Sequence, residues 1–498
     1  MKKRIVWLSL VICLIFIAGC SNSSGPDVNA LPPLETVSDN GNDGAQGFDR
    51  NEPIVIYQEN LSCGVNFELY EDGRLVLSGS DISASMSNEK AFQDYQDNIT
   101  TIELGVGVTA VTDKAFAGLA NVQKLDVGDS VKSIGYSAFS DCTALTQVDF
   151  GTGLVEIGDY AFSGCTALTD VTLSGNIANI GSYCFADCTT IKNAILGENI
   201  TEMGNCIFSG CTNLSSLRIK CNVGDSAFKD CTSLESVAFE NTVSIIKDRA
   251  FSGCTSLQNI TFSDNLSEIG AYAFSDCTAL GSISIPASVC TIEKEAFAKC
   301  TKLDTIKFAE EATLNLGDSV FTGCTALKDI EITDGVVGIG QYCFADCTSL
   351  MSATIGCNVQ NMGESLFSGC NSLTSVEINS SVGVASFKNC SALEKVMLGE
   401  TVISIGEQGF YGCSAIQELS LPEGLESIEK QAFYNCSGMK TITFPKTLKS
   451  IGTEMLYGTG SLRNLYYRGS SGNWSSIDKE NKWSSGAGVT YVTKYNVK

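Results

Sequence analysis

Between residues 100 and 465 the apolar positions of the chain follow two alternating rhythms. In Asp170-Val171-Thr172-Leu173 they fall at every second residue, which predicts a short strand with one buried face. Just upstream, Gly158-Asp159-Tyr160-Ala161-Phe162-Ser163-Gly164-Cys165 carries them three apart, the spacing of a single helical or 3-10 turn. The two rhythms then return together. Phe139, Phe162, Phe185, Phe208, Phe228, Phe251, Phe274, Phe297, Phe321, Phe344, Phe367, Phe387, Phe410 and Phe433 each precede a cysteine by three residues, from Cys142 to Cys436. The phenylalanines lie 23 residues apart, except for two intervals of 20 and one of 24. One strand and one turn cannot enclose a core alone, so each unit must be covered by its neighbours in a stack. Phe116 with Leu119, and Leu456 with Thr459, stand in for the Phe-Cys pair at the two ends, as the capping of a stack requires. The pattern predicts about 16 units over residues 101–465, with one continuous parallel sheet along one face.

The repeat, Leu-x-x-Ile/Val-x-aliphatic followed by Val-x-x-Ile-Gly-x-x-Ala-Phe-x-x-Cys, resembles the treponemal-type leucine-rich repeat of BspA-like bacterial surface proteins. That resemblance implies an α/β-type repeat solenoid. It is a leucine-rich repeat arc with one short strand and one helical or 3-10 turn per unit of about 23 residues and small β caps at both ends. The caps are expected at 54–100 and 466–498. Phe67 to Gly79 with its Asp72-Gly73 turn, and Leu465-Tyr466-Tyr467 with Val489-Thr490-Tyr491-Val492, both have the alternation of hairpin material. The resemblance also implies an adhesive role, added to the interaction protein that a tether, a wide repetitive surface and the absence of catalytic groups lead one to expect. A longer period overlies the short one, because Tyr183 to Cys188 recurs as Tyr342 to Cys347 and both short intervals recur with the same offset of 159 residues. The array therefore contains a duplicated block of seven units.

Ahead of the array the chain changes character. Lys2-Lys3-Arg4, an apolar run from Ile5 to Ile17, and Ile17-Ala18-Gly19-Cys20 together have the form of an export signal. The run is shorter than a membrane span needs, and its last four residues resemble a bacterial lipobox. Residues 1–19 are expected to be removed and Cys20 lipidated, anchoring the protein to the outer face of a bacterial cell membrane. Residues 20–53, rich in Ser, Asn, Gly, Asp and Pro, cannot bury enough surface to order themselves and read as a flexible tether. The lipid is the expected contact with the membrane, since no second long apolar stretch follows.

Composition narrows the chemistry. There is no histidine, which removes the common triads, His-ligated zinc and imidazole switching. A formal charge of -24 repels phosphate backbones and argues against nucleic acid. Disulfides between successive rungs are allowed by Cα separation, yet parallel Cβ vectors one rung apart favour small buried thiols. Cys184 with Cys188, and Cys343 with Cys347, lack the ligand set of a metal site. Glu310, Glu311, Asp329, Glu331 and Asp334 have neither a calcium-loop nor a glycosidase framework. Tyr160, Tyr183, Tyr272 and Tyr342 read as lids over an edge of the stack. No catalytic residue, metal or cofactor is expected. The candidate ligand-facing residues are outward strand positions: Asp149, Asp170, Asn193, Arg218, Asn259, Lys307, Asp329, Glu331, Glu377, Lys395 and Glu418. The expected partners are proteins or glycans on host or neighbouring cells, met by a monomer; the alternative is a spacer of the envelope without a specific ligand.

Overall fold

The computed structural model describes residues 53–82, 89–173, 176–487 and 492–497, all within one compact unit, Pro53–Lys498. The segment 1–19, Cys20 and nearly all of the tether lie outside the described residues. The described chain is a β-solenoid of about 17 coils, built mostly of strands. In each coil the alternating segment forms a strand, as in Asp170–Leu173, whose Val171 and Leu173 are buried while Asp170 and Thr172 face out. Successive coils pair in parallel, Asp170 opposite Asn193 and Leu173 opposite Leu196.

Two features of the coil differ from the expected pattern. A second parallel ladder of two-residue strands runs through the stack, with Ser133–Ile134, Glu156–Ile157 and Asn179–Ile180 in register. Two residues per coil are too few to show a period. The three residues missing from each short interval come from the connection to this ladder. It shrinks there to single bridges, Val223 to Ile246 and Val382 to Ile405. The second difference is that the Ala-Phe segment is not helical. Tyr160 and Gly164 both lie at positive φ, 58° and 74°. Alternate amides therefore leave their own turn: Tyr160, Phe162 and Gly164 donate to Ser182, Cys184 and Ala186 of the next coil at 2.8–2.9 Å. Ala161, Ser163 and Cys165 between them donate three residues back, at 3.1–3.3 Å. Turns of this kind bond coil to coil, and a helix cannot.

The second positive-φ position carries its own pattern. Residues two after the phenylalanine alternate between Asx and Gly: Asp141, Gly164, Asp187, Gly210, Asp230, Gly253, Asp276. Each Asx carboxyl or amide oxygen fills the space in which a Cβ on the following glycine would stand, so the two residue types must take turns. Gly253→Ala is expected to cost about 1–2 kcal/mol for the left-handed backbone alone, with a further steric cost against Asp230. Urea unfolding of Gly253→Ala, Asp230→Gly and the double variant should show coupling of about 1 kcal/mol or more. Strict additivity would refute the interlocked pair.

The core is two columns. Rings stack without a break from Phe116 to Phe433, centroids 5.1–5.6 Å apart and planes within 16°. Beside them every ladder cysteine is a buried thiol. Its Sγ donates to the carbonyl of the phenylalanine one coil earlier, as Cys165 to Phe139 at 3.3 Å and Cys188 to Phe162 at 3.1 Å. All fourteen make this contact, at 3.1–3.6 Å. At the C-terminal end Thr459 takes the cysteine's place and turns its hydroxyl to Leu456 of its own turn, 2.7 Å away.

The main sheet is not continuous. Ladder pairing lapses after Gln147–Asp149, Asn259–Thr261, Thr305–Phe308 and Lys395–Leu398. The third lapse coincides with the 24-residue interval, whose extra residue lies in the connection holding Glu310 and Glu311. At the N-terminal end β1 (Val55–Asn60), β2 (Asn66–Tyr70) and β3 (Arg74–Ser78) form the expected antiparallel hairpins, turning at Gly73 with φ 84°. β3 then pairs in parallel with β4 (Thr101–Leu104), which starts the stack. The expected C-terminal hairpin is absent. Asn464–Tyr467 and Val492–Tyr495 are parallel, because the long connection between them makes one further coil. That connection carries the short helix Ser471–Ser476, held by a capping box of Ser470 and Asn473. Its Trp474 seals the core end against Phe444 and Tyr467, at centroid distances of 5.5 and 5.1 Å.

Candidate functional site

The strand alternation that buries one row of each coil exposes the other, and the outward row contains every strand position singled out from the sequence. Several of these side chains are already satisfied. Asp170 accepts from Asn193 at 2.7 Å and from Thr169 at 2.8 Å, and these two bonds hold its carboxyl below the usual carboxylate range. Asp149 accepts from the Gly151 amide at 3.0 Å, Asp329 from the Ser352 hydroxyl, and Arg218 is paired with Glu240. Asn259, Lys307, Glu331, Glu377, Lys395 and Glu418 make no side-chain hydrogen bond or ion pair among the described residues. These six are the free groups among the eleven candidates.

The duplicated block allows a comparison within one chain. In the first copy Arg218 pairs with Glu240, and Lys220 with Glu198 at 2.6 Å. At an offset of 159 residues the second copy has Glu377, Gly399, Asn379 and Cys357, so neither pair can form. Glu331 and Glu377 lie on one line across the sheet with Thr354 between them. Glu331 also borders a groove of about 520 Å³ shared with Glu310, Glu311 and Asp334. The structure thus gathers four of the five acidic residues noted in the sequence. Among the described residues no group of three or more His, Cys, Asp or Glu side chains is placed to hold a metal ion.

The tyrosines separate into distinct settings. Tyr160 and Tyr183 stack at 4.7 Å with planes 4° apart, Tyr272 lies under the Arg249 guanidinium at 4.8 Å, and Tyr342 is exposed. Sequence reading missed a second column, Tyr411, Tyr434 and Tyr457, stacked at 4.8 and 4.7 Å. The signal was present, since each directly follows a core residue, Phe410, Phe433 or Leu456. Among the described residues no helix is long and apolar enough to cross a membrane.

The repeat architecture and the sequence agree on a lineage. Residues 86–215, 221–315, 310–384 and 379–477 match the family described as BspA type leucine-rich repeat region (6 copies). The chain belongs to this BspA-type family. No curated protein is significantly similar to it. Among solved structures, a leucine-rich repeat protein from Bacteroides ovatus shares the fold, with 24% identity, a TM-score of 0.55 and coverage of 89% of this chain and 100% of that one. A leucine rich cell surface protein from Faecalibacterium prausnitzii matches at 21% identity and TM-score 0.31, covering 85% and 98% of the two chains. The pneumococcal vaccine antigen PcpA matches at 15% and 0.37, covering 88% and 99%. Leucine-rich repeat proteins are in general binding scaffolds that engage other proteins, and no catalytic family is indicated for this BspA-type chain.

Proposed function

We propose that this BspA-type protein is a surface-tethered recognition scaffold whose outward strand face meets protein or glycan partners on host or neighbouring cells. The observation that carries this reading is the set of unpaired polar side chains on that face: Glu331 and Glu377 on one register line through Thr354, with Lys395 and Glu418 on outward positions of the coils that follow. Charges left unsatisfied within the fold are available to a partner, and complementarity across a wide array gives specificity through many modest contacts. Anchoring rests on the sequence around Cys20: the full chain should take up acyl label in a bacterial host, and Cys20→Ala should take up none. The decisive experiment is a matrix-protein and glycan array probed with the full chain and with a variant reversing charge at Lys307, Glu331, Glu377, Lys395 and Glu418. Saturable binding reduced at least tenfold in the variant supports the strand face. Binding that survives moves the site elsewhere, and no binding at all favours the spacer.

A further inference from the structure

A second groove is not on that face. It lies over the two-residue ladder, encloses about 700 Å³ and spans the coils from Asp113 to Gly204, roughly 19 Å at the rise of stacked strands. Its floor is backbone, because Gly158, Gly181 and Gly204 stack so closely that a Cβ on any of them would overlap the coil before it. Its rim is a row of hydrogen-bonding side chains, Ser133, Glu156 and Asn179, aligned residue to residue by the ladder. None of the three makes a side-chain hydrogen bond or ion pair among the described residues. Tyr136, 42% exposed, stands at one end of the groove, its ring 5.6 Å from that of Tyr160.

The glycines alone do not make this arrangement. They recur in the second copy as Gly317, Gly340 and Gly363. There Asn315, the counterpart of Glu156, lays its side-chain oxygen over Gly338, the counterpart of Asn179, so no free row is left. Free Glu156 and Asn179 distinguish the first copy, and Ser133 and Tyr136 stand in the coil just before it.

We propose that this groove binds a neutral oligosaccharide lying along the stack. Its ionisable lining groups are Asp113, Glu156, Asp159 and Tyr136, and the nearby Lys114 ammonium, 5.6 Å from the centre of the Tyr136 ring, leaves the groove acidic on balance, so polyanions are repelled. A peptide strand would need an open sheet edge, and these coils are already paired on both sides. A hydroxyl-rich chain needs what the groove offers: donors and acceptors repeated at rung spacing, a flat floor, and a ring against which a sugar face can rest. The site is separate from the strand face, so each can fail alone.

The test is calorimetric titration of the full chain with cellohexaose, chitohexaose, maltohexaose, mannohexaose and xylohexaose, with a hyaluronan hexamer as anionic control. At least one neutral sugar should bind saturably and the anion should not. Tyr136→Ala and the pair Glu156→Ala/Asn179→Ala, all on exposed side chains, should each weaken that binding at least tenfold without moving the melting temperature. The strand-face charge-reversal variant should bind the sugar unchanged. Failure of every neutral sugar to bind, stronger binding of the anion, or equal affinity in the groove variants would overturn the proposal.

Discussion

Raising the pH from 8 to 11 should unfold the solenoid in one steep transition. Burial pushes the thiols of Cys142, Cys324 and Cys436 up to about 12, and raises seven further ladder thiols in the same direction. For Cys165 and Cys347 the neighbouring ladder thiol contributes more than burial, with the same sign. A thiol whose folded pKa lies above its unfolded one, near 9, favours the folded state below that lower value. Its contribution is lost as the pH climbs toward the folded value. At pH 11 Cys142, Cys324 and Cys436 have each shifted the balance toward unfolding by roughly 3 kcal/mol. A few of them together match the total stability of an ordinary domain, about 5–15 kcal/mol. Far-UV circular dichroism under anaerobic, reducing conditions should follow the transition. Cys254→Ala and Cys277→Ala should each make it shallower by about one proton. A chain still folded at pH 11.5, or a slope indifferent to both substitutions, would mean that the thiols are not what titrates.

The other large effect belongs to the phenylalanine column. Phe251 is fully buried, with rings 5.2 Å away on both sides and Phe239 edge-on at 5.8 Å. Truncation to alanine removes two stacked contacts and one edge contact, and backbone bonding from turn to turn prevents the coils from closing the gap. Phe251→Ala should therefore cost about 3–5 kcal/mol, the range for a large aromatic removed from a packed core. Because each coil touches only its neighbours, the loss should also split unfolding into two steps, one for each half of the array. Urea titration with tryptophan fluorescence reporting on the C-terminal end, where Trp474 and Trp483 lie, would separate them. A single transition lowered by less than about 1 kcal/mol would show that the column tolerates a gap.

The stack was legible in the sequence because its two main signals are long and periodic. Phe-x-x-Cys fixed the repeat length, and Val171 with Leu173 told which strand face is buried. The second ladder was not legible, since two residues such as Asn179-Ile180 carry no period, and its existence depends on neighbours 23 residues away in the chain. The Ala-Phe segment reads as one helical or 3-10 turn because i, i+3 spacing is shared by those and by a run of separate turns, and the three-residue bonds of such turns are present at Ala161, Ser163 and Cys165. The distinction lies in backbone sign at Tyr160, a residue that seldom adopts positive φ. Of the candidate site residues, position alone was readable. That Asp170 is held by Asn193 while Glu377 stands free depends on what the next coil happens to carry.

The alternation of Asx and Gly bears on how the chain was assembled. A pattern that repeats every two coils is copied in phase only by an even number of them, yet the duplicated block is seven coils long. Such a copy must leave a fault where its ends meet. The fault is visible. After Asp276 the next coil calls for glycine, and before Gly323 it calls for an Asx residue. What stands there is Lys299, at φ 60°, answering neither demand. The one interval of 24 residues, from Phe297 to Phe321, and the third lapse of the main sheet fall at this same seam. The boundary between the two copies is thus written as a stacking dislocation, inherited from a duplication of odd length.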